Sequence, residues 1–125
     1  MRGPGSDAGA HRRLNQRCWA AHLAGDLPAL LDLADDPALS PDMVATIGPL
    51  AREDGDPDLI HRILSHPACG EGVASRYATH PDPKIRLRVA GFPGLVTSTL
   101  GILAVDRDPA VRAAAIEALT QRASG

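Results

Sequence analysis

The chain has 125 residues, of which 44% are hydrophobic and 22% are charged, a balance that is ordinary for one soluble globular domain. Its formal net charge of −2 at pH 7 excludes a bulk electrostatic attraction to nucleic acid or to anionic lipid. Aromatic residues make up only 2% of the chain, so the core must consist of aliphatic side chains, which favours packed short helices over a β-sandwich.

Residue usage and the N-terminal stretch indicate the kind of genome and the cellular compartment that the protein comes from. Arginine almost replaces lysine, and together with abundant alanine, glycine and proline this indicates a bacterial genome rich in GC. The stretch up to Arg17 lacks the apolar segment of a signal peptide, and no window approaches the roughly 18 apolar residues of a membrane span. Two cysteines, Cys18 and Cys69, form no disulfide framework. We therefore expect a soluble, cytoplasmic protein that does not bind membranes.

The first predicted element is a helix over residues 8–24, AGAHRRLNQRCWAAHLA, which follows a flexible N-terminus over residues 1–7. Leu14, Cys18 and Leu23 are expected to face the rest of the domain. The helix is therefore predicted to cap the N-terminal end of the fold.

Two short helices are predicted next. LPALLDLADDP, which starts at Leu27, has the apolar spacing of a first helix, and LSPDMVATIG supplies a second one. Ser40 is its expected N-cap, with Pro41 at the first helical position, where no backbone N–H donor is needed.

The dipeptide Asp-Pro then recurs at 56–57, 82–83 and 108–109, each time 26 residues after the last. Aspartate before proline starts a helix, because its carboxylate accepts a hydrogen bond from a free backbone N–H. Apolar residues follow at constant offsets, first of all Leu59, Ile85 and Val111. We expect these three side chains to be buried between neighbouring units.

A second short helix is predicted in each unit, within CGEGVASRYATH and VTSTLGILAVD. The chain is thus predicted to be all-α: a short right-handed α-solenoid of helical pairs with a period of about 26 residues. The repeats extend over residues 25–119 behind the N-terminal capping helix, and residues 120–125 are expected to fray.

The stretches DPALSPDMVATIG, HPDPKIRLRVA and DRDPAVRAAAIEAL resemble units of the leucine-rich repeat variant family, and the last is also similar to a HEAT-repeat helix. This resemblance covers about residues 27–119 and implies an α-solenoid. Some members of the variant family carry an N-terminal cysteine cluster for an iron–sulfur centre. The present chain has Cys18 alone there, so no cofactor is expected.

Arginines recur at the repeat spacing. Arg62 and Arg88 occupy equivalent positions and Arg76 lies on the intervening helix; with Arg52 they form the predicted partner-binding strip. Guanidinium groups recognise carboxylates and phosphates alike. The alternatives are a solvated helix face or salt bridges to three nearby acidic residues, Asp58, Glu71 and Asp82.

A second pair of arginines, Arg86 and Arg112, follows Asp82 and Asp108 at a distance of four residues. The resemblance to HEAT-like units implies a structural ladder of aspartate and arginine between repeats at these four positions. Ile60 stands at the corresponding position of the preceding unit and is expected to interrupt it.

Histidines and a cysteine come close together in His61, His66, Cys69 and His80, but their spacing is not that of a zinc site. His66 and His80 each precede a proline in a turn, where the imidazole is expected to bind the backbone. No metal site is predicted.

No catalytic motif for nucleophilic, phosphate-binding or zinc-dependent chemistry is found, and no catalytic residue is predicted. The sequence therefore predicts a non-enzymatic adaptor or scaffold that binds another protein on its repeat surface. Two alternatives stay open: a binder of the nucleic-acid backbone that uses the arginine strip, and an accessory subunit of a modifying enzyme. Self-association through the last helix is also open, because Ile116 and Leu119 are expected to be exposed.

Overall fold

The structure is a computed structural model, and it describes residues 4–49 and 55–124. Within these ranges it contains eight α-helices and no β-strand, so the chain is all-α, as the sequence predicts. The helices are α1 (Pro4–Ala24), α2 (Leu27–Ala34), α3 (Pro41–Ile47), α4 (Pro57–Ser65), α5 (Glu71–Ser75), α6 (Pro83–Ala90), α7 (Thr97–Leu103) and α8 (Pro109–Ser124). No helix in these ranges combines the length and the apolar character that crossing a membrane requires.

Side-chain caps mark the starts of α2, α3, α4, α6 and α8, whereas α5 and α7 have none. The Asp56 carboxylate accepts from the backbone N–H of Leu59 at 3.1 Å, at the start of α4. The Asp82 carboxylate accepts from the N–H of Lys84 at 2.9 Å, at the start of α6. Ser40 caps α3 in the same way. The predicted helix starts are thus confirmed, and each cap contributes about 1 kcal/mol to stability.

Prolines set the ends of α4 and α6. These helices end at Ser65 and Ala90, two and three residues before Pro67 and Pro93. A residue that precedes proline is disfavoured in the helical conformation. The short helices therefore follow from the positions of proline in the sequence.

Alternate helices pack on one another: α2 on α4, α4 on α6, and α6 on α8. Leu59, Ile85 and Val111 are buried on α4, α6 and α8, with exposed fractions of 3%, 0% and 0%. The prediction that they are buried is confirmed. At the N-terminal end α1 covers both α2 and α3, and at the C-terminal end α7 packs on α8.

Both chain ends are more helical than the sequence predicts. The α1 helix begins at Pro4, inside the segment 1–7 that was predicted to be flexible. The α8 helix continues to Ser124, through most of the segment 120–125 that was predicted to fray. That last segment contains no glycine or proline before its final residue, and the Thr120 hydroxyl donates to the Ile116 carbonyl at 2.8 Å.

The buried face of α1 differs from the predicted one at a single position. Leu14 and Cys18 are buried, as predicted, but Leu23 is 78% exposed and Ala21 is buried instead. Leu23 lies nine residues after Leu14, which on a helix is half a rotation away, whereas Ala21 lies seven residues after it and shares its face.

Candidate functional site

The Arg62 guanidinium reaches from α4 back to α2. Its Nη1 donates to the Asp35 carboxylate at 2.7 Å and to the Leu31 carbonyl at 3.2 Å. Its Nη2 lies 3.5 Å from the Asp58 carboxylate on the same helix. The predicted alternative of a salt bridge to Asp58 is therefore present, and the Arg62 charge is largely balanced by two carboxylates.

Arg88 on α6 has a different environment. Its side chain is exposed, and Nη2 donates to the Ser65 hydroxyl of α4 at 2.8 Å. No carboxylate within the described ranges lies at salt-bridge distance from it. Since Ser65 lies three residues after Arg62 on α4, the structure brings Arg62 and Arg88 to the same face of the molecule.

Arg76 lies apart from this pair. It follows α5 and donates from Nη1 to the Ala45 carbonyl of α3 at 2.9 Å. This contact joins the end of α5 to α3, and not to α4 or α6. Arg52, the fourth residue of the predicted strip, lies outside the described residues. Of the predicted strip, the structure thus places two arginines on adjacent helices and directs the third to another part of the fold.

A shallow groove of about 350 Å³ runs between the C-terminal ends of α2 and α4. Arg62 and Ser65 line one side, and Arg88 meets the groove at Ser65. Pro37 and Pro67 contribute apolar surface to the lining. The groove therefore combines apolar contacts with the paired Arg62 guanidinium. The Arg88 guanidinium lies at its edge and meets no carboxylate within the described residues.

His66 ties this groove to the preceding unit. Its Nδ1 accepts from the backbone N–H of Ala68 at 2.9 Å, so the ring carries its proton on Nε2 and donates it to the Asp36 carbonyl at 2.8 Å. The ring is buried, with 7% of the residue exposed. The predicted hydrogen bonding of this histidine to the backbone is confirmed, and it uses both ring nitrogens.

His80 repeats the arrangement one unit later. Its Nδ1 accepts from the N–H of Asp82 at 3.0 Å, and its Nε2 lies 3.2 Å from the Gly55 carbonyl. Both nitrogens are again used within the fold, and the histidine therefore holds the turn before α6 against the turn before α4.

Arg86 forms an ion pair, but its acid is neither of the two predicted ones. Arg86 donates from Nε and Nη2 to the Asp106 carboxylate at 2.8 and 3.2 Å. Asp82 and Asp108, the predicted acids, instead cap α6 and α8 through their backbone contacts. A residue that caps a helix directs its carboxylate at the first free N–H groups, which leaves it unable to reach the arginine one turn later.

Asp106 escaped the sequence prediction because it occupies the position of His80 in the preceding unit, where no carboxylate stands. Both residues hold the turn before a helix in the same way. The Asp106 carboxylate accepts from the N–H of Asp108 at 2.8 Å, two residues later, as His80 does from Asp82. The salt bridge from Asp106 to Arg86 is an additional contact, and within the described residues it has no counterpart at His80.

The environment of Asp106 changes its acidity. Burial raises the pKa of its carboxyl, but hydrogen bonds from Arg86 and from the Asp108 N–H, together with the nearby arginine charges, outweigh burial and lower that pKa below its usual range. The carboxylate is therefore ionised in the folded state over the whole neutral range.

Arg112 repeats part of the Arg86 geometry. Arg86 Nη1 donates to the carbonyls six and five residues before it, at 2.7 and 2.9 Å. Arg112 Nη1 donates to the carbonyls six and five residues before it, at 2.8 and 3.1 Å. Both predicted ladder arginines therefore lock the turn that precedes their own helix.

Tyr77, the one tyrosine, packs against the residues that follow α3. It is 1% exposed, and its hydroxyl donates to the Pro49 carbonyl at 2.7 Å. Burial raises the pKa of its phenol to about 12, against an opposing effect of the Arg76 charge. An added side-chain carbon at Gly48 would meet the hydroxyl oxygen at 2.8 Å, so this glycine allows the ring to approach the backbone.

The two cysteines are not activated. Burial raises the pKa of the Cys18 and Cys69 thiols, and both groups therefore stay protonated near neutral pH. Nucleophilic chemistry at either sulfur finds no support in their surroundings.

Comparison with known proteins gives no relative: no protein-family model, no curated protein and no solved structure matches the chain.

Proposed function

We propose that the chain is a short right-handed α-solenoid of helical pairs, of the leucine-rich repeat variant or HEAT-like kind, which acts as a non-enzymatic adaptor. Recurring contacts support the repeat. The carboxylates of Asp82 and Asp108 each accept a hydrogen bond from the backbone N–H two residues later. The Nη1 groups of Arg86 and Arg112 each donate to the carbonyls six and five residues earlier. Such arrays bind their partners on extended surfaces built from successive units.

The binding surface of this proposal is the groove between α2 and α4, together with the exposed end of Arg88. One observation carries it: Arg88 is exposed beside the groove, with a neutral hydroxyl as its hydrogen-bond partner. Its remaining N–H donors are directed to no carboxylate within the described residues. A carboxylate of a partner protein that lies in the groove supplies the missing charge.

The charges around the groove favour a protein over a nucleic acid as partner. Asp35 and Asp58 lie within 3.5 Å of the Arg62 guanidinium and offset its charge. A phosphate backbone near this arginine therefore encounters two carboxylates, which oppose its approach. A protein segment avoids this conflict, because it can place apolar atoms there and a carboxylate at Arg88.

The experiment is an affinity capture from the source lysate with nuclease present, followed by a binding isotherm with the purified partner. Arg88→Glu is the test variant, since this side chain makes a single exposed contact and its loss leaves the core intact. Arg12→Glu, exposed on α1, makes the same change of charge far along the chain. We expect Arg88→Glu to weaken partner binding by about tenfold or more and Arg12→Glu to leave it unchanged.

Two results contradict the proposal. Equal affinities for both variants show that the Arg88 face is not the binding surface. Capture that is lost on nuclease treatment, with an affinity that falls steeply as salt rises, shows a nucleic-acid binder instead. A captured enzyme whose activity depends on the chain identifies the alternative of an accessory subunit.

A further inference from the structure

The outer face of α8 has no covering helix within the described residues, in contrast to α4 and α6. Ile116 is 51% exposed, whereas the residues 26 and 52 positions before it, Ala90 and Leu64, are 2% and 6% exposed. Ala90 and Leu64 are buried because α6 carries α8, and α4 carries α6. The face that is buried at each earlier step is open at α8.

Polar groups mark the same open face. Arg86 uses Nη1 for its own turn and directs Nε and Nη2 to Asp106 of the following unit. Arg112 has the same Nη1 contacts, but no carboxylate within the described ranges meets its Nε or Nη2. The Nε and Nη2 groups of Arg112 are therefore available as donors, whereas the same groups of Arg86 donate to Asp106.

The helices α5 and α7 show the same difference between a covered and an uncovered position. The hydroxyl oxygens of Ser75 on α5 and Thr99 on α7 lie 3.1 Å apart, which joins one unit to the next. Gly101 stands 26 residues after Ser75, is exposed, and has open space around the position of a side chain. Both layers of the fold are thus uncovered at the α8 end.

The open face of α8 has the pattern of a helix that pairs with another helix. Ala113, Ile116 and Thr120 are exposed and lie three and four residues apart, which places them on one stripe. Arg112 and Glu117 flank this stripe on opposite sides and are five residues apart. The helix has 16 residues, against nine for α4 and eight for α6, so it extends beyond what its contact with α6 uses.

We infer that α8 pairs in parallel with α8 of a second copy of this chain. In a parallel pair of helices, a flanking residue of one helix meets the residue five positions further along on the other. Arg112 of each copy therefore meets Glu117 of the other, twice by symmetry, and Ile116 packs against the opposite stripe. The exposed apolar face, the free arginine donors and the acidic residue are all used by this one arrangement.

The charges also exclude the antiparallel arrangement. In an antiparallel symmetric pair, each flank meets the same flank of the other copy, which brings Glu117 towards Glu117 and leaves Arg112 without an acid. The parallel pair has a closed twofold symmetry, and it produces a dimer and not a filament.

The first test is sedimentation of the full chain from micromolar to millimolar concentration. We expect a reversible dimer, and we expect Ile116→Asp to weaken the association by at least about tenfold, because two isoleucines leave the interface. Ile102→Asp is the matched control: Ile102 is 57% exposed, lies on α7 and occupies the position of Arg76, which points back to the preceding unit. A monomer throughout, or equal losses in both variants, overturns the inference.

The second test addresses the pairing of charges. Glu117→Arg is expected to weaken the dimer, and mixing this variant with Arg112→Glu is expected to restore association in mixed pairs. Since Arg112→Glu also removes two contacts to carbonyls, its folding has to be checked first by circular dichroism. A Glu117→Arg chain that dimerises as strongly as the wild type contradicts the charge pairing.

The third test measures orientation without any charge change. Ala113→Cys, in a Cys69→Ser background, is expected to form a disulfide between copies on mild oxidation, because equivalent stripe positions face each other in a parallel pair. Cys18 is fully buried and does not compete. A dimer that forms no such disulfide rules out the parallel arrangement. None of the three tests depends on the Arg88 surface.

Discussion

Tyr77 gives the fold a measurable sensitivity to alkali. Its phenol has a pKa of about 12 in the folded state because burial penalises the charged form, against about 10 in an unfolded chain. The folded state therefore holds this proton more tightly, and the stabilisation is complete below pH 10 and is lost as the pH rises towards 12. The effect amounts to roughly 2–3 kcal/mol.

A spectrophotometric titration at the phenolate absorption tests this directly, since Tyr77 is the one tyrosine. We expect its ionisation near pH 12 and an unfolding free energy that falls from pH 10 upwards. Tyr77→Phe should remove that dependence and cost about 1 kcal/mol at neutral pH, through loss of the hydrogen bond to Pro49. Ionisation near pH 10 in the folded protein contradicts the buried placement of the ring.

Asp106 gives the opposite dependence, at acid pH. Its pKa is lowered in the folded state, so its contribution to stability is present above the unfolded value of about 3.9 and is lost as the pH falls through the folded value. Asp106→Asn should lower the unfolding free energy at pH 7 by roughly 1.5–3 kcal/mol, because the buried Arg86 loses its ionic partner. The variant should also lose less stability than the wild type below pH 4.

Asp108→Asn is the matched control for this change. Asparagine retains the cap of α8, and no arginine of the described residues pairs with Asp108, so we expect a loss below about 0.5 kcal/mol. Chemical denaturation of the three proteins at pH 7 and pH 4 measures both effects. Equal losses at positions 106 and 108 contradict the role of the salt bridge.

At the scale of helices, local sequence signals determine where α3, α4, α6 and α8 begin and where α4 and α6 end. Asp-Pro and Ser-Pro start helices through local hydrogen bonds, and proline ends them through local steric clashes, so both signals can be read without knowledge of the fold. The packing partners of α4 and α6 follow from the 26-residue spacing of Leu59, Ile85 and Val111.

What the sequence could not supply depends on contacts between distant residues. Arg62 and Arg76 look alike in the sequence, yet one turns to Asp35 and the other to a carbonyl of α3. The partner of Arg86 lies 20 residues later, and a histidine stands 26 residues before that partner. Such pairings are determined by how the helices pack, which no local pattern encodes.

Ile85 tests how much one such contact contributes to the stacking. It is fully buried on α6, between α4 and α8, so Ile85→Ala should lower the unfolding free energy by roughly 2–5 kcal/mol through lost apolar burial and the cavity that remains. Leu87→Ala on the same helix is the control: Leu87 is 39% exposed, and its truncation should cost much less. Thermal denaturation of both variants compares them, and equal losses contradict the burial pattern of α6.

At the scale of the whole molecule, stability is expected to vary along the row of packed helices α2, α4, α6 and α8. The α4 and α6 helices are covered on both sides by other first helices, whereas α8 is covered by α6 on one side and its outer face is exposed. Local opening requires breaking two interfaces at α6 and one at α8. In dilute protein, amide hydrogen exchange should therefore be slowest in α4 and α6 and faster in the second half of α8.

The dependence of amide exchange on protein concentration distinguishes the stability of the single chain from the protection that a dimer adds. If α8 pairs with α8 of a second copy, its amides become protected as the protein concentration rises, while those of α4 and α6 change little, because they are covered in either state. Ile116→Asp should keep α8 in rapid exchange at every concentration. If the amides of α8 and α6 are equally protected in dilute protein, the expected gradient of stability is wrong. If the protection of α8 rises with concentration equally in the Ile116→Asp variant, the contact between copies lies on another surface.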